Sequence, residues 1–327
     1  MLNEKIQATY DPQQHFLPAL VSELHERQQK TWPQLADGIS ALSAAQVRAV
    51  ECDGFSVQLQ WNPQRIGSTA ARVDESSIRE RKCFLCVENL PAAQLGILYQ
   101  KDFVILCNPA PIFPTHLTIS HVKHVHQAID PALELFLDIA RDLGPKCSVF
   151  YNGPKCGASA PDHLHFQAST KNAIPVEIDV TDARRRHVLQ KSAEVALLSL
   201  KRYGRSTLVF ESTNRDELSA TLRKLFSAWK NNLRISEEPM LNMICSYREL
   251  VWRVVLFPRA KHRPAVFFKE GDERVLVSPA AVDMGGFVVT PVERDFRGLT
   301  PGLIQEIFQE VSLESNRVEE IVKMMKS

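Results

Sequence analysis

The chain has 327 residues, 44% apolar and 24% charged, so it can bury a substantial core and has room for about two domains. Lys and Arg number 39 against 38 Asp and Glu, a net charge of +1, which excludes a global field for holding nucleic acid or an anionic membrane surface. The start lacks the layout of a signal peptide, and no apolar run reaches the roughly 18 residues of a spanning helix, so the cytoplasm is the expected compartment. Seven cysteines, an odd number in a long chain, point to reduced thiols or a metal site rather than a disulfide framework.

Leu17, Leu20, Val21 and Leu24 recur at helical spacing, so residues 1–50 read as a helical entry segment, interrupted by Pro33 and Gly38. Phe55 to Trp61 alternates apolar and polar residues as a half-buried strand does. Strands are predicted over 103–107 and 116–120, paired as a hairpin around the proline-rich loop 108–114, which cannot continue a ladder. Asp130-Pro131 opens a helix whose apolar face runs to Gly144-Pro145, and the strand 148–151 follows. Beyond residue 195 strands are predicted over 207–210, 241–245, 252–257 and 286–290, with a helix over 216–229 and a final one opened by Thr300-Pro301. Arg184, Arg185 and Arg186 read as a solvated helix face. The expected organisation is therefore 1–50, 51–195 and 196–327: an entry segment and two α+β halves, each an antiparallel sheet with packed helices, with a single extended sheet across both as the alternative.

The segment His163-Leu164-His165-Phe166-Gln167 carries the chemistry. In a strand, His163, His165 and Gln167 share one face, while Leu164 and Phe166 anchor the other in the core. A neutral imidazole can attack phosphorus and split one hard transfer into two easier steps. A glutamine amide can donate to a phosphoryl oxygen without adding a titrating group. Upstream, residues 151–161 form a loop of small residues whose backbone N–H groups can approach a phosphate, and Lys155 and Ser159 add a charge and a hydroxyl. Cys83-Phe-Leu-Cys86 has the spacing of a zinc knuckle. Arg65, Arg72, Arg79 and Arg81 on one side, and Arg259, Lys261 and His262 on the other, are candidates to reach phosphates.

Asn152-Gly153, Gly157-Ala-Ser159 and His163-Leu-His165-Phe-Gln167 together resemble the active-site strand of the histidine-triad (HIT-like) superfamily. The similarity is to the branch of galactose-1-phosphate uridylyltransferase, diadenosine-tetraphosphate phosphorylase and GDP-hexose phosphorylase, which ends the motif in Gln. The string Thr115 to Val125 is similar to the superfamily's second signature, with Thr115 in place of its Gly and His121 where Pro is usual. This resemblance implies an α+β HIT-like fold in which the half 51–195 is catalytic and the half 196–327 lacks the H-x-H-x-Q motif. It implies His165 as nucleophile, Gln167 on the migrating phosphoryl group, and Asn152 and Ser159 at the ribose or phosphate, while the residues themselves offer Gly157, Lys155 and Arg65 as further phosphate-binding candidates. It also implies a structural zinc held by Cys83, Cys86, His124 and His163, with His116, His121 or His126 as alternatives to His124.

The expected activity is transfer of a nucleoside monophosphate from a nucleotide sugar or dinucleoside polyphosphate, through His165, to phosphate or a sugar phosphate. A hydrolase of the same superfamily and a catalytically silent nucleotide-binding protein are the competing expectations. Oligomeric state is left open, a homodimer included.

Overall fold

The computed structural model describes residues 2–71 and 73–326. Fourteen strands are present among them: β1 (Ile6–Thr9), β2 (Gln46–Glu51), β3 (Ser56–Trp61), β4 (Gly96–Tyr99), β5 (Phe103–Cys107), β6 (His116–His121), β7 (Cys147–Asn152), β8 (His165–Thr170), β9 (Arg186–Lys191), β10 (Val195–Leu200), β11 (Leu208–Ser212), β12 (Leu241–Arg248), β13 (Val251–Pro258) and β14 (Phe287–Thr290). Eleven form one sheet in the order β1-β4-β5-β6-β8-β7-β12-β13-β11-β10-β9. All its pairings are antiparallel except β1 with β4. The two halves thus share a single sheet, joined where β7 pairs with β12 from Asn152↔Asn242 to Val149↔Cys245. The 195/196 boundary falls at the first residue of β10, which pairs back onto β9.

Two-residue periodicity gives this sheet two faces. On one, Leu117, Ile119, Phe166, Ala168, Val149, Met243 and Val254 join a core covered by helices Leu17–Thr31, Leu133–Leu143, Arg215–Leu233 and Ser315–Lys326. The first entry helix stops at Trp32 because Pro33, without an N–H, instead begins a second helix, Pro33–Ser43. On the opposite face Phe150, Ile244, Val255 and Phe257 pack beneath a second core containing Val57, Leu59, Val288 and helix Pro301–Val311. A smaller sheet, β14-β3-β2, lies in that layer, with β14 parallel to β3. Over β6 and β8 the same face carries polar residues instead, beside apolar Val104 and Leu106 of β5, and that is where the large pocket lies.

Two expectations change. Arg184 to Arg186 is a turn leading into β9, with Arg184 on Asp182 and Arg186 on Glu211, because hairpin pairing with β10 satisfies this backbone better than an isolated helical turn would. Helix Ser315–Lys326 follows the one opened by Thr300-Pro301, which is therefore not the last. No helix among the described residues is long and apolar enough to cross a membrane.

Candidate functional site

Strand β8 begins at His165, two residues later than the motif, and lies between β6 and β7 with Gln167 opposite Thr118 and Phe150. Leu164, Phe166 and Ala168 enter the helix-covered core. His165 and Gln167 therefore face the other way, into a cavity of about 720 Å³.

The protonation of His165 follows from its neighbour. Its Nδ1 lies 2.8 Å from the His163 carbonyl oxygen, which can only accept, so Nδ1 carries the hydrogen and Nε2 keeps its lone pair. Burial pushes the imidazole down to about 4, and it is 4% exposed, so the ring is neutral at pH 7. Gln127 holds this residue from behind. Its Oε1 accepts from the His165 N–H at 2.8 Å, and its Nε2 donates to the carbonyls of Asn152 and His165. Nothing in the sequence around Gln127 marks it, because its role depends on a fully buried position between two strand ends.

Gln167 is oriented by His116. The Ile112 N–H donates to His116 Nδ1 at 3.3 Å, so the neutral ring carries its hydrogen on Nε2 and donates it to Gln167 Oε1 at 2.8 Å. The Gln167 amide nitrogen is left for the pocket. Burial, with the charge of Arg65, pushes His116 down to about 3 and keeps it from protonating. The sequence offered His116 as an alternative metal ligand; the fold puts it diagonally across from Gln167 on the neighbouring strand instead.

Cys83, Cys86, His124 and His163 converge as expected, their ligand atoms all within 4.8 Å of one another. The Cys83 Sγ to His163 Nδ1, Cys86 Sγ to His124 Nδ1 and Cys86 Sγ to His163 Nδ1 distances are 3.3, 3.2 and 3.7 Å. Tetrahedral coordination with bonds of ~2.0–2.3 Å separates neighbouring ligand atoms by ~3.3–3.8 Å, so the donor set fits a four-coordinate metal. The outer contacts fit too. His163 Nε2 donates to the His121 carbonyl at 2.7 Å, and His124 Nε2 lies 3.4 Å from Asp162, which also pairs with Arg81. His121 and His126 are outside the cluster.

Ser159 and Arg65 line both the large cavity and a smaller chamber beside it, with Gln167 between the two. Arg65 donates to the Ala110 carbonyl at 2.9 Å, one of three ties that bring the small sheet onto the proline-rich loop, with Gln60 on Ile112 and Asn62 on Pro111. Gly157 borders the chamber at φ +92°, and a Cβ there would meet that of Ala280 at 2.6 Å. Asn152 lines the same chamber, and its Oδ1 accepts from Asn242 and from the Ala281 N–H, which braces the loop and fixes the orientation of its amide. Lys155 is diverted entirely, since its ammonium pairs at the surface with Glu237 at 2.6 Å, where solvation costs it nothing. Arg81 borders the large cavity; Arg72 lies outside the described residues.

The site thus combines a strand-borne neutral histidine, an oriented glutamine on the same strand and a Cys-Cys-His-His cluster able to hold a metal ion. Residues 179–327 match the family described as GDPGP1-like, C-terminal domain, and residues 24–170 match a domain of unknown function, DUF4922. The fold is shared with yeast Ap4A phosphorylase Apa2 at 15% identity and a TM-score of 0.59, over 91% of this chain and 94% of that one. The same enzyme in complex with Ap4A gives 14% identity and a TM-score of 0.60, covering 91% and 97%. No curated protein matches the sequence. The family match over residues 179–327 and the fold shared with Ap4A phosphorylase support the resemblance to the HIT-like branch of galactose-1-phosphate uridylyltransferase, Ap4A phosphorylase and GDP-hexose phosphorylase.

Proposed function

We propose that this protein is a nucleotidyl-transferring phosphorylase that works through a covalent intermediate on His165. The observation that carries this reading is a neutral imidazole, Nδ1 locked on the His163 carbonyl, whose Nε2 has no partner among the described residues and borders a cavity of about 720 Å³ beside the Gln167 amide. In the first step Nε2 attacks the α-phosphorus of a nucleotide sugar or dinucleoside polyphosphate. The N–P bond forms, and the P–O bond to the departing sugar 1-phosphate or nucleoside polyphosphate breaks. In the second, an oxygen of phosphate or a sugar phosphate attacks the same phosphorus and the N–P bond breaks. The Gln167 amide donates to the phosphoryl oxygens as charge gathers on them. Trp32, Phe84, Leu90 and Leu106 line the cavity with apolar surface for a base, and Gln94 and Asn108 give it polar edges.

The relatives support a nucleotide substrate, since one of the yeast enzyme's structures is a complex with AMP and another with Ap4A. Zinc is the metal we assign to the Cys83, Cys86, His124 and His163 cluster. With four protein ligands it would be closed to substrate and would act by fixing the turn that carries His163. That turn matters because the His163 carbonyl sets the tautomer of His165.

The test is a panel of nucleotide sugars and dinucleoside polyphosphates incubated with the protein, with and without phosphate. Omitting the acceptor should trap a nucleoside monophosphate on His165, visible as an added mass on its tryptic peptide. His165→Ala should lose the adduct and at least about 10⁴-fold of the turnover. Undiminished turnover in that variant would refute the mechanism.

A further inference from the structure

Beside Gln167, on the side away from the large cavity, the second half of the chain closes a chamber of about 70 Å³. Its polar wall draws on four separate segments: Arg65, then Ser159, then His262 and Arg263, then Ser278. Arg263 has the most elaborate support. Its Nε donates to Ser278 Oγ at 3.0 Å, its Nη2 donates to the Ala71 carbonyl at 2.9 Å, and its guanidinium lies 4.1 Å from the centre of the Phe267 ring. The turn that carries it is pinned by Arg259, a buried guanidinium that donates to the carbonyls of Lys261, His262, Pro279 and Val311. Neither Arg65 nor Arg263 forms an ion pair among the described residues.

Two partly buried cations that face one small space without a salt-bridge contact carry a desolvation cost that an anion would offset, although the charge of Asp283 reaches Arg65 through space. The carboxylate in the wall, Asp283, does not neutralise them by contact. Its two oxygens accept the backbone N–H groups of Ala280 and Val289. Burial keeps His262 neutral, pushed down to about 4, so it can add a hydrogen bond but no titrating charge at pH 7.

Volume narrows the ligand. At roughly 10–15 Å³ for each water, the chamber has room for about five to seven waters, enough for one phosphoryl group with solvent around it. A hexose phosphate has about three times as many heavy atoms, so its sugar would have to project out of the chamber.

We infer that this chamber is the acceptor subsite, where Arg263 and Arg65 bind a single phosphoryl group next to the nucleotide held on His165. This rests on the nucleotidyl-transfer reading. It assigns the second half of the chain a direct part in the site, although that half lacks the histidine motif.

The experiment is calorimetric titration of the full-length protein with orthophosphate, with glucose 1-phosphate, and separately with AMP and GMP. Orthophosphate should bind saturably, Arg263→Gln should weaken it about tenfold, and Ser278→Ala, which leaves the guanidinium in place, about threefold. Lys261→Gln, on the same turn but paired with Glu310 at the surface, should bind as the parent does. Nucleotide affinity should be unchanged in Arg263→Gln, which also shows that the variant is folded. No saturable orthophosphate binding, or equal affinity in Arg263→Gln, overturns the inference. Failure of AMP and GMP to bind would instead count against the nucleotide pocket, so the two readings fail separately. Glucose 1-phosphate binding as tightly as orthophosphate identifies the occupant as a phosphomonoester with its sugar outside; binding tenfold weaker identifies orthophosphate.

Discussion

Replacing His116 with Ala tests whether the orientation of Gln167 matters independently of its presence. In the folded protein His116 accepts from the Ile112 N–H and donates to Gln167 Oε1, and it is 2% exposed. The substitution leaves one buried donor and one buried acceptor unpaired, each costing about 1–3 kcal/mol, so the melting temperature should fall by roughly 5–10 °C. The catalytic effect has a different origin. Without the His116 donor the amide can turn its oxygen toward the phosphoryl group, where it repels the charge it should stabilise. Loss of one donor to a developing oxyanion costs about 10²–10³ in kcat. A mixture of two amide orientations should cost about ten- to a hundredfold, with KM for the nucleotide changed less than about threefold. The assay is steady-state turnover below the lowered melting temperature, for His116→Ala, Gln167→Ala and the double variant. The double variant should be as slow as Gln167→Ala and no slower, since both changes remove the same donor. If His116→Ala turns over within twofold of the parent, or if the two losses multiply, His116 is a packing residue and the positioning argument is wrong.

Acid should destabilise the fold before it silences the nucleophile. His116 and His165 bind protons near 6.5 when unfolded but only near about 3 and about 4 when folded, so their stabilising contribution is present above pH 6.5 and is lost as pH falls toward 4. At pH 5 that loss is roughly 2 kcal/mol each, measurable as a lower urea midpoint, while initial rates on still-folded protein should not show protonation of His165 until about pH 4. Midpoints equal at pH 7 and pH 5 would contradict the burial argument. Chelation, or Cys83→Ser with Cys86→Ser, should remove one zinc per chain by elemental analysis and slow turnover by loosening the His163 turn; a metal-free protein of full activity would reject the structural role. Gly157→Ala forces a side chain into φ +92° and to within 2.6 Å of Ala280, so it should cost at least about 1–2 kcal/mol in denaturant unfolding, and a neutral effect would show that the loop adapts.

Much of the site was legible because strand periodicity is a local property. Apolar Leu164 and Phe166 commit one face of the motif to the core, and His165 and Gln167 must then take the other wherever the strand is placed. Cys83 and Cys86 are three residues apart, so a tight turn makes them neighbours without long-range help. The hairpin of β5 and β6 and the stop before Gly144 follow equally from local pattern and punctuation. Lys155 marks the limit of such reading. A lysine in a small-residue loop suits a phosphate in the sequence, yet the long side chain finds Glu237 at the surface, 82 residues away.

What the sequence by itself determined is therefore which side chains share a face and which apolar positions anchor them. Only the tertiary structure decided what stands opposite that face. Gln127 behind His165, His116 beside Gln167, and Arg263 with Ser278 across the chamber come from segments far apart in the chain. They meet because β6 and β7 flank β8 and because β12, from the second half, continues the same sheet. The physical reason is that hydrogen-bond and charge partners of a buried group are set by which segments the apolar cores bring together, and no local period encodes that pairing.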